Sequence, residues 1–507
     1  MTTTSGHETS DAGAGLRQAS SDLEETRRRR GVRALVLRLH FYAGLFVGPF
    51  LLIAAVSGAL YAIAPSVEQF VYRDNLTAQS TGAARPVAEQ IRSAQAVRPD
   101  LLVTAVRPAV ESGQTTRVLF EDPTLGESER RAVFVDPVSA RPQGDLVVYG
   151  NSGALPMRTW IDQLHRSLHL GDVGRAYSEL AASWLWLIAL AGVYLWVSRY
   201  RRMSDADSED ARLLTVARSA SGRQRTLSWH GVVGLWIAAG LLFLSATGLT
   251  WSLYAGEKIT ELRAALSWTT PTVSTVLDGS NSGAHSEETA HGDHESASSR
   301  TRDAHSAIHV DQVDRVLQSA RAAGVGGHVE VTIPDAPGTA YTVVQTRQPW
   351  VMSNNSVAVD GATGKVTDIM WFADWPLAAK LAAWGIQLHM GLLFGLLNQL
   401  ALVLLAAALV SVIVRGYVMW WRRRPTRGRR FGGRPPKRGS IRGLPAAGAI
   451  AIGATALVIG WCIPLLGLSL LTFLLVDLVV SAAKRVSGQR AGSADERESR
   501  TTGDQRG

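Results

Sequence analysis

The chain has 507 residues, of which 46% are hydrophobic and 19% charged, with a net charge of +9 and one cysteine. The single cysteine, Cys462, excludes an intrachain disulfide. Long apolar runs exclude the three or four soluble domains that the length alone would allow. Arginines cluster beside these runs, so the basic charge reflects membrane topology and argues against nucleic acid as a partner.

Six apolar stretches have the composition of membrane spans. In chain order they are Val32–Ile63, Tyr177–Val197, Trp229–Tyr254, Ala383–Trp421, Ala446–Cys462 and Pro464–Ala482. The last two are nearly contiguous and predict a tight membrane hairpin, residues 446–483, with a re-entrant pair as the alternative. The first stretch is too long for the apolar part of a signal peptide, which indicates a retained anchor.

The arginine clusters fall on one side of the membrane if the spans alternate. They lie before the first and third spans and after the second, fourth and sixth. The positive-inside rule therefore predicts a cell-membrane protein with both termini in the cytoplasm. Residues 199–228 and 422–445 become cytoplasmic loops. The polar tails, residues 1–31 and 484–507, are expected to be disordered.

Two long segments, residues 64–176 and 255–382, are predicted to lie outside the membrane as small α+β domains. Each combines an amphipathic helix with strand-like alternation. The predicted helices are Val87–Ala96 and Val310–Ala322, and the predicted strands are Leu101–Ala105, Thr116–Phe120, Arg131–Val135, His328–Ile333, Tyr341–Gln345 and Ser356–Val359. Turns are predicted at Asp136-Pro137 and Asp360–Gly364. The second domain carries a Ser/Glu/His-rich stretch, residues 278–306, with the composition of a disordered insertion.

An internal duplication places histidines in register. His40 and Gly44 fall on His230 and Gly234 at an offset of 190 residues. At an offset of 224, His165 falls on His389, Gly192 on Gly416 and Val135-Asp136 on Val359-Asp360. The predicted fold is therefore a duplicated span–domain–span unit, an α-helical membrane protein with α+β insertions. Because the first and third spans run in the same direction, a ligand on the axis between the halves would meet the same residue from each.

These histidine pairs are the candidate cofactor site. Neutral imidazole is the commonest metal-ligating side chain and a usual axial ligand of haem. A single histidine at a membrane interface is more often an anchor, but matched pairs that each precede a matched glycine favour a cofactor. His40 and His230 are predicted at the inner ends of spans, and His165 and His389 at the outer side. His169, four residues after His165 on the same helical face, is the alternative ligand; the other interpretations are a proton carrier or a solvated residue.

The length of the chain between each outer histidine and the next arginine cluster limits a two-haem arrangement. His165 precedes Arg199 by 34 residues, as His389 precedes Arg423. A continuous helix of that length spans ~50 Å, against a hydrocarbon core of ~30 Å. Breaks, tilt or a half-membrane segment would shorten that distance; otherwise the outer pair lies in the extracytoplasmic layer, far from the inner pair. A single haem site, at either end, is therefore an alternative to two.

A weaker candidate metal site lies in the His-rich insertion, at His285, His291 and His294. The spacing fits no closed zinc pattern. A solvated insertion is the competing interpretation, and it is favoured over a weak, exchangeable metal site.

The chain resembles the PepSY-associated transmembrane family, the iron-regulated membrane proteins that include bacterial ferrisiderophore reductases. The resemblance covers about Leu35–Leu475 and rests on Leu39-His40, Leu164–Leu168, Gly192–Trp196, His230-Gly231, Thr247–Leu249, Leu388–Gly391, Trp420–Arg423 and Pro464–Gly467. It implies that the external segments are PepSY domains, and that b-type haem is bound between the helices by His40, His230, His165 and His389.

The resemblance and the residues lead to one main functional hypothesis. The chain is expected to be a haem b oxidoreductase that passes electrons to an extracytoplasmic ferric siderophore or another metal acceptor. No dinucleotide-binding signature occurs, so the donor would be membrane quinol or a separate cytoplasmic protein. The alternative is a non-enzymatic PepSY module that binds a peptide, a siderophore or a partner protein. A third hypothesis is metal uptake or sensing through the His-rich insertion.

Overall fold

The computed structural model describes residues 31–208, 211–217, 219–277, 298–423, 446–473, 475–476 and 479–480, with the side chains of 298–308, 446–449 and 451–452 left out. The two predicted disordered tails, most of the His-rich insertion and most of the basic loop 422–445 lie outside the described residues. The chain divides into two compact units. The helical unit consists of Met1–Leu51, Asp172–Glu261 and Ser411–Gly507, and the sheet unit consists of Leu52–Gly171 and Leu262–Val410.

Four helices in the described part of the chain are long and apolar enough to cross a membrane. They are α2 (Gly48–Val71), α6 (Gly171–Ser204), α7 (Gly222–Leu249) and α11 (Gly395–Trp421). A further helix, α1 (residues 31–46), precedes α2 and is separated from it by a turn at Val47. The last two predicted spans begin as the apolar helices α12 (Ala446–Cys462) and α13 (Pro464–Phe473). Their crossing of the membrane as a hairpin stays a prediction.

The predicted span Ala383–Trp421 differs from the observed structure, because two helices occupy it. Helix α10 (Leu377–His389) ends at the histidine, and α11 begins only at Gly395. Between them the chain passes through left-handed backbone at Gly391, with φ of 75°. A similar break follows α5 (Pro156–Ser167), where Leu168 has a φ of 53° before α6 begins. Breaks of this kind are one of the alternatives that the length of the chain between the outer histidines and the arginines left open.

The sheet unit contains one eight-stranded antiparallel sheet with the order β4-β3-β2-β1-β5-β6-β7-β8. Its strands are β1 (Leu102–Arg107), β2 (Thr116–Glu121), β3 (Glu129–Val135), β4 (Pro142–Tyr149), β5 (Val329–Thr332), β6 (Tyr341–Gln345), β7 (Ser356–Val359) and β8 (Val366–Met370). Each half is a four-stranded meander, and the two join where β1 pairs with β5. The six predicted strands are confirmed. The two outermost strands were not predicted, because neither shows apolar alternation.

Helices α4 (Val87–Val97) and α9 (Ser298–Ala322) pack on the sheet through a continuous apolar core that includes Ile91, Val313 and Phe120. The Asp314 carboxylate accepts the backbone N–H groups of Val87 and Ala88 at 2.8 and 3.0 Å, which caps the start of α4. Helix α9 begins at Ser298, inside the stretch 278–306 that has the composition of a disordered insertion; the disorder of that insertion stays a prediction.

The two predicted hairpin turns are confirmed and have matching hydrogen bonds. The Asp136 amide donates to the Arg141 carbonyl at 2.9 Å, and the Asp360 amide donates to the Lys365 carbonyl at 2.9 Å. Both pairs of residues are related by the offset of 224. A β-bulge precedes each turn, between Phe134 and Val135 in one half and between Ala358 and Val359 in the other.

Three shorter elements complete the described helices. Helix α3 (Arg73–Leu76) follows α2, α8 (Tyr254–Ala265) follows α7, and a single 3-10 turn, Phe372–Asp374, precedes α10. The start of α8 is held by Glu179 of α6, whose carboxylate accepts the amides of Tyr254 and Ala255 at 2.9 Å each. This buried carboxylate therefore fixes the turn that ends α7.

Candidate functional site

The structure brings His40 and His230 together in the helical unit. His40 lies on α1 and His230 on α7, and both side chains are partly buried. Their ring centroids are 6.2 Å apart, and the ring planes stand at 82° to each other. Two residues that are 190 positions apart in the sequence therefore form one site.

Both imidazoles are anchored through the same nitrogen. His40 Nδ1 lies 3.0 Å from the Ile188 carbonyl oxygen, and His230 Nδ1 lies 3.0 Å from the Val412 carbonyl oxygen. A carbonyl oxygen only accepts, so each Nδ1 carries the proton and donates it. Each Nε2 then keeps a lone pair for a ligand, which is the arrangement found in most metal-binding histidines. The two carbonyls are related by the offset of 224 residues.

Glycines make room for both rings. One helical turn after Ile188, a Cβ on Gly192 would lie 3.1 Å from His40 Cε1. One turn after Val412, a Cβ on Gly416 would lie 3.7 Å from His230 Cε1. Each imidazole therefore lies against the bare backbone of the helix whose carbonyl it binds.

A second pair of glycines leaves space beside the imidazoles. Gly44 and Gly234 each lie one turn after a histidine, on the same helical face. A Cβ at either position would meet no atom within 4 Å. These are the matched glycines that follow His40 and His230 in the sequence.

The distance between the two rings fits a single metal ion held by opposed imidazoles. With metal–nitrogen bonds of about 2.0–2.1 Å, two opposed rings on one ion have centroids about 6.4 Å apart, whereas tetrahedral ligation gives about 5.2 Å. The observed 6.2 Å lies near the opposed arrangement. Among the described residues, no group of three or more His, Cys, Asp or Glu side chains is placed to hold a metal.

The outer histidines occupy the last turns of two short helices in the sheet unit. His165 Nδ1 lies 3.0 Å from Ser57 Oγ on α2. Ser57 Oγ donates its own proton to the Ile53 carbonyl at 2.8 Å, so it accepts the proton of Nδ1. A Cβ on the neighbouring Gly58 would lie 3.1 Å from His165 Cε1.

His389 is the last residue of α10 and lies within electrostatic range of His165. His169 does not share the helical face of His165, so that prediction is wrong. Helix α5 ends at Ser167, and His169 has a left-handed φ of 55°. Its ring instead packs on Trp160, with centroids 4.9 Å apart, and the residue is exposed.

The weak metal site predicted in the His-rich insertion stays a prediction. His285, His291 and His294 lie outside the described residues. Beyond them, His309 contacts the Tyr341 hydroxyl through Nδ1 at 3.2 Å. That contact joins α9 to the sheet and indicates a packing role for this histidine.

The sequence analysis missed Ser57 and the roles of Gly192 and Gly416. A signal for Ser57 was present, because the offset of 190 places it on Thr247, another hydroxyl directly before a matched glycine. The two hydroxyls behave alike: Ser57 donates to the Ile53 carbonyl, and Thr247 donates to the Phe243 carbonyl, each at 2.8 Å.

Four helices able to cross a membrane, with imidazole pairs anchored on helices, define a multi-pass membrane protein with candidate ligand-binding histidines. Residues 37–423 match the PepSY-associated TM region family, and the match covers most of the sequence. The chain therefore belongs to this family, which confirms the resemblance at the level of the family. A comparison with curated proteins found no match.

Proposed function

We propose that the chain is a haem b-containing membrane oxidoreductase that passes electrons to an extracytoplasmic ferric siderophore or another metal acceptor. The observation that carries this proposal is the His40/His230 pair: two Nδ1-anchored imidazoles with centroids 6.2 Å apart, beside glycines that face open space. The residues fit haem because two imidazoles lie with centroids 6.2 Å apart and each keeps its Nε2 unprotonated. A bound haem would supply one-electron exchange.

The protein's own residues would set the properties of such a site. His40 and His230 would hold the iron, and the Ile188 and Val412 carbonyls fix the orientations of their rings. A hydrogen bond from Nδ1 to a carbonyl also raises the basicity of the ligating nitrogen. Gly192 and Gly416 let each ring lie close to the helix that orients it.

His165 and His389 are the proposed second pair. Ser57 would orient His165 as the carbonyls orient the inner rings. His169 is not part of this proposal, since it packs on Trp160. The sheet unit would shape the acceptor site near the outer pair, and the donor would be quinol or a separate cytoplasmic protein, for which no residue of this chain is assigned.

We also infer that the chain is a duplicated span–PepSY domain–span unit in the cell membrane, with both termini in the cytoplasm. Equivalent contacts at the offset of 224 support the duplication, notably the Ile188 and Val412 carbonyls and the Asp136 and Asp360 turns. The arginine clusters support the orientation.

The decisive experiment is an absorption spectrum of the detergent-purified full chain after expression with ample haem. We expect a Soret band that shifts on reduction with dithionite. Absence of the band would overturn the proposal and favour the non-enzymatic PepSY module, in which the histidines only pack. Reduction of a ferric chelate by the reduced protein, followed by stopped-flow absorbance, then tests the direction of electron transfer.

A further inference from the structure

The sheet unit contains a cavity with arginines in its wall. Its volume is about 550 Å³, a size typical of sites for small molecules. Arg107 of β1, Arg117 of β2 and Arg347, which follows β6, contribute to its lining, together with His328 and Gln114. None of these residues belongs to the histidine pairs.

Two of the arginines converge at one point of the wall. A Cβ on Gly153 would lie 2.4 Å from Arg107 Nη1 and 3.4 Å from Arg117 Nη1. Arg107 is paired with Glu330 at 2.6 Å, but Glu330 also pairs with Arg130 at 2.9 Å. One carboxylate therefore serves two guanidinium groups, and Arg117 adds a third cation beside them.

Arg117 forms no salt bridge with any described residue. Its Nη1 donates to the Gly153 carbonyl at 3.4 Å, and its guanidinium lies 5.3 Å from the centre of the Phe134 ring. Burial, and then the neighbouring Arg107, lowers the pKa of Arg117 to about 10. The side chain remains charged at neutral pH, so its burial costs desolvation free energy. A bound anion would offset that cost.

Arg347, like Arg117, is a partly buried cation without an ion-pair partner among the described residues. Its Nη1 contacts Met390 Sδ at 3.4 Å, and within the described part of the chain no carboxylate pairs with it. Burial lowers the pKa of Arg347 below its usual value. Glu330 is paired as above, and Glu68 pairs with Arg158 at 3.0 Å. Glu111, the carboxylate among the lining residues, is exposed, accepts a hydrogen bond from Gln114 at 3.2 Å and lies 3.9 Å from His328 Nε2.

We propose that this cavity binds an anionic, oxygen-rich ligand of the polycarboxylate class through Arg117 and Arg347. The planar guanidinium fork matches a carboxylate with two parallel hydrogen bonds, which a single cation such as Lys does not reproduce. Where the ligand is a ferric chelate, the acceptor of the proposed reductase is an anionic carboxylate complex rather than a cationic one; this clause alone rests on the proposed function.

The test is calorimetric titration of the full chain in detergent, without added haem, with citrate as the probe. We expect saturable binding that weakens about ten-fold in Arg117→Gln and in Arg347→Gln, and that the corresponding Lys variants recover in part. Arg321→Gln, the same charge change at an exposed position of α9, should bind citrate as the unaltered chain does. No binding of citrate, or equal binding by all variants, would overturn the proposal.

A second arm identifies the source of the ligand. Ferric citrate is titrated in parallel with citrate, and a cationic ferric trihydroxamate serves as the charge control. Tighter binding of ferric citrate indicates an iron chelate, and equal binding indicates the free polycarboxylate. The proposed selectivity would be contradicted if the cationic complex bound as tightly as citrate and if the Gln variants left that binding unchanged. Because neither arm uses haem, the cavity can be tested even if the redox proposal fails.

Discussion

The inner and outer histidine pairs are anchored by different kinds of group. His40 and His230 each donate to a backbone carbonyl, at equivalent residues of two membrane helices. His165 donates to the side chain of Ser57, at the end of a short helix that is followed by left-handed backbone. The inner geometry thus depends on helix packing, whereas a side-chain hydroxyl takes part in orienting His165.

This difference separates the two sites experimentally. A substitution cannot remove a backbone carbonyl, so the inner site is accessible only through its histidines and glycines. The outer site can be disturbed by changing a single side chain that touches neither iron nor substrate. Variants of each kind should therefore affect one pair and spare the other.

The largest effect is expected when a histidine is removed. His40→Ala or His230→Ala should lower haem per chain from two to one, and His165→Ala or His389→Ala should remove the other, because each ion loses one of two protein ligands. The measurement is the haem-to-protein ratio by the pyridine haemochrome assay. His169→Ala is the matched control and should keep full haem. Full haem in His40→Ala would show that the inner pair is not a ligand pair.

A smaller effect is expected at the glycines behind the inner rings. Gly192→Ala would place a Cβ 3.1 Å from His40 Cε1, whereas Gly416→Ala would leave an ordinary contact of 3.7 Å to His230. Gly192→Ala should therefore displace its ring and accelerate haem loss, while Gly416→Ala should behave like the unaltered protein. Haem transfer to apomyoglobin measures both rates. Equal rates in the two variants would argue against the ring positions described above.

A comparable or smaller effect, confined to the outer site, is expected from Ser57→Ala. Loss of the group that orients a ligating histidine weakens binding by roughly 10–100-fold. Ser57→Thr keeps the hydroxyl and should bind haem normally. Partial reduction followed by absorbance resolves the two haems. A change in the absorbance of the inner haem in Ser57→Ala, with the outer haem unaffected, would contradict the difference between the two pairs.

The smallest effect concerns the sheet unit and should leave haem untouched. Burial by itself raises the pKa of Asp136, but hydrogen bonds from Ser139, Ser80 and Val138 outweigh it and lower the pKa to about 2. A carboxyl whose pKa is lower in the folded than in the unfolded protein stabilises the fold when it is ionised. This stabilisation is fully present above the pKa of the unfolded chain, near 4, and is lost as the pH falls toward about 2. Asp136→Asn should therefore cost about 1–2 kcal/mol at neutral pH and little near pH 2.

Thermal unfolding followed by circular dichroism measures this difference. Asp360→Asn, at the equivalent turn, is the control and should destabilise less, because Asp360 accepts fewer backbone amides. A loss of haem in Asp136→Asn would link the sheet to the histidine sites and contradict their independence.

Several features of the fold could be predicted because they depend on local patterns. Period-two alternation identified β6 and β7 with their observed bounds, and the turn residues identified the hairpins at Asp136 and Asp360. The outer strands β4 and β8 were missed, since Pro142–Tyr149 and Val366–Met370 lack alternation and pair only because a neighbouring strand offers an open edge.

The sequence by itself pointed to His40 and His230 as a pair, because the two histidines recur at one offset with matched glycines. It also determined the membrane helices and the family to which the chain belongs. Only the tertiary structure decided how the rings are held and where the helices break. Backbone carbonyls such as those of Ile188 and Val412 have no residue signature, and the apolar run around Gly391 shows no change in hydropathy where the helix stops. Hydrogen-bond partners depend on which backbones meet, and that is a property of packing.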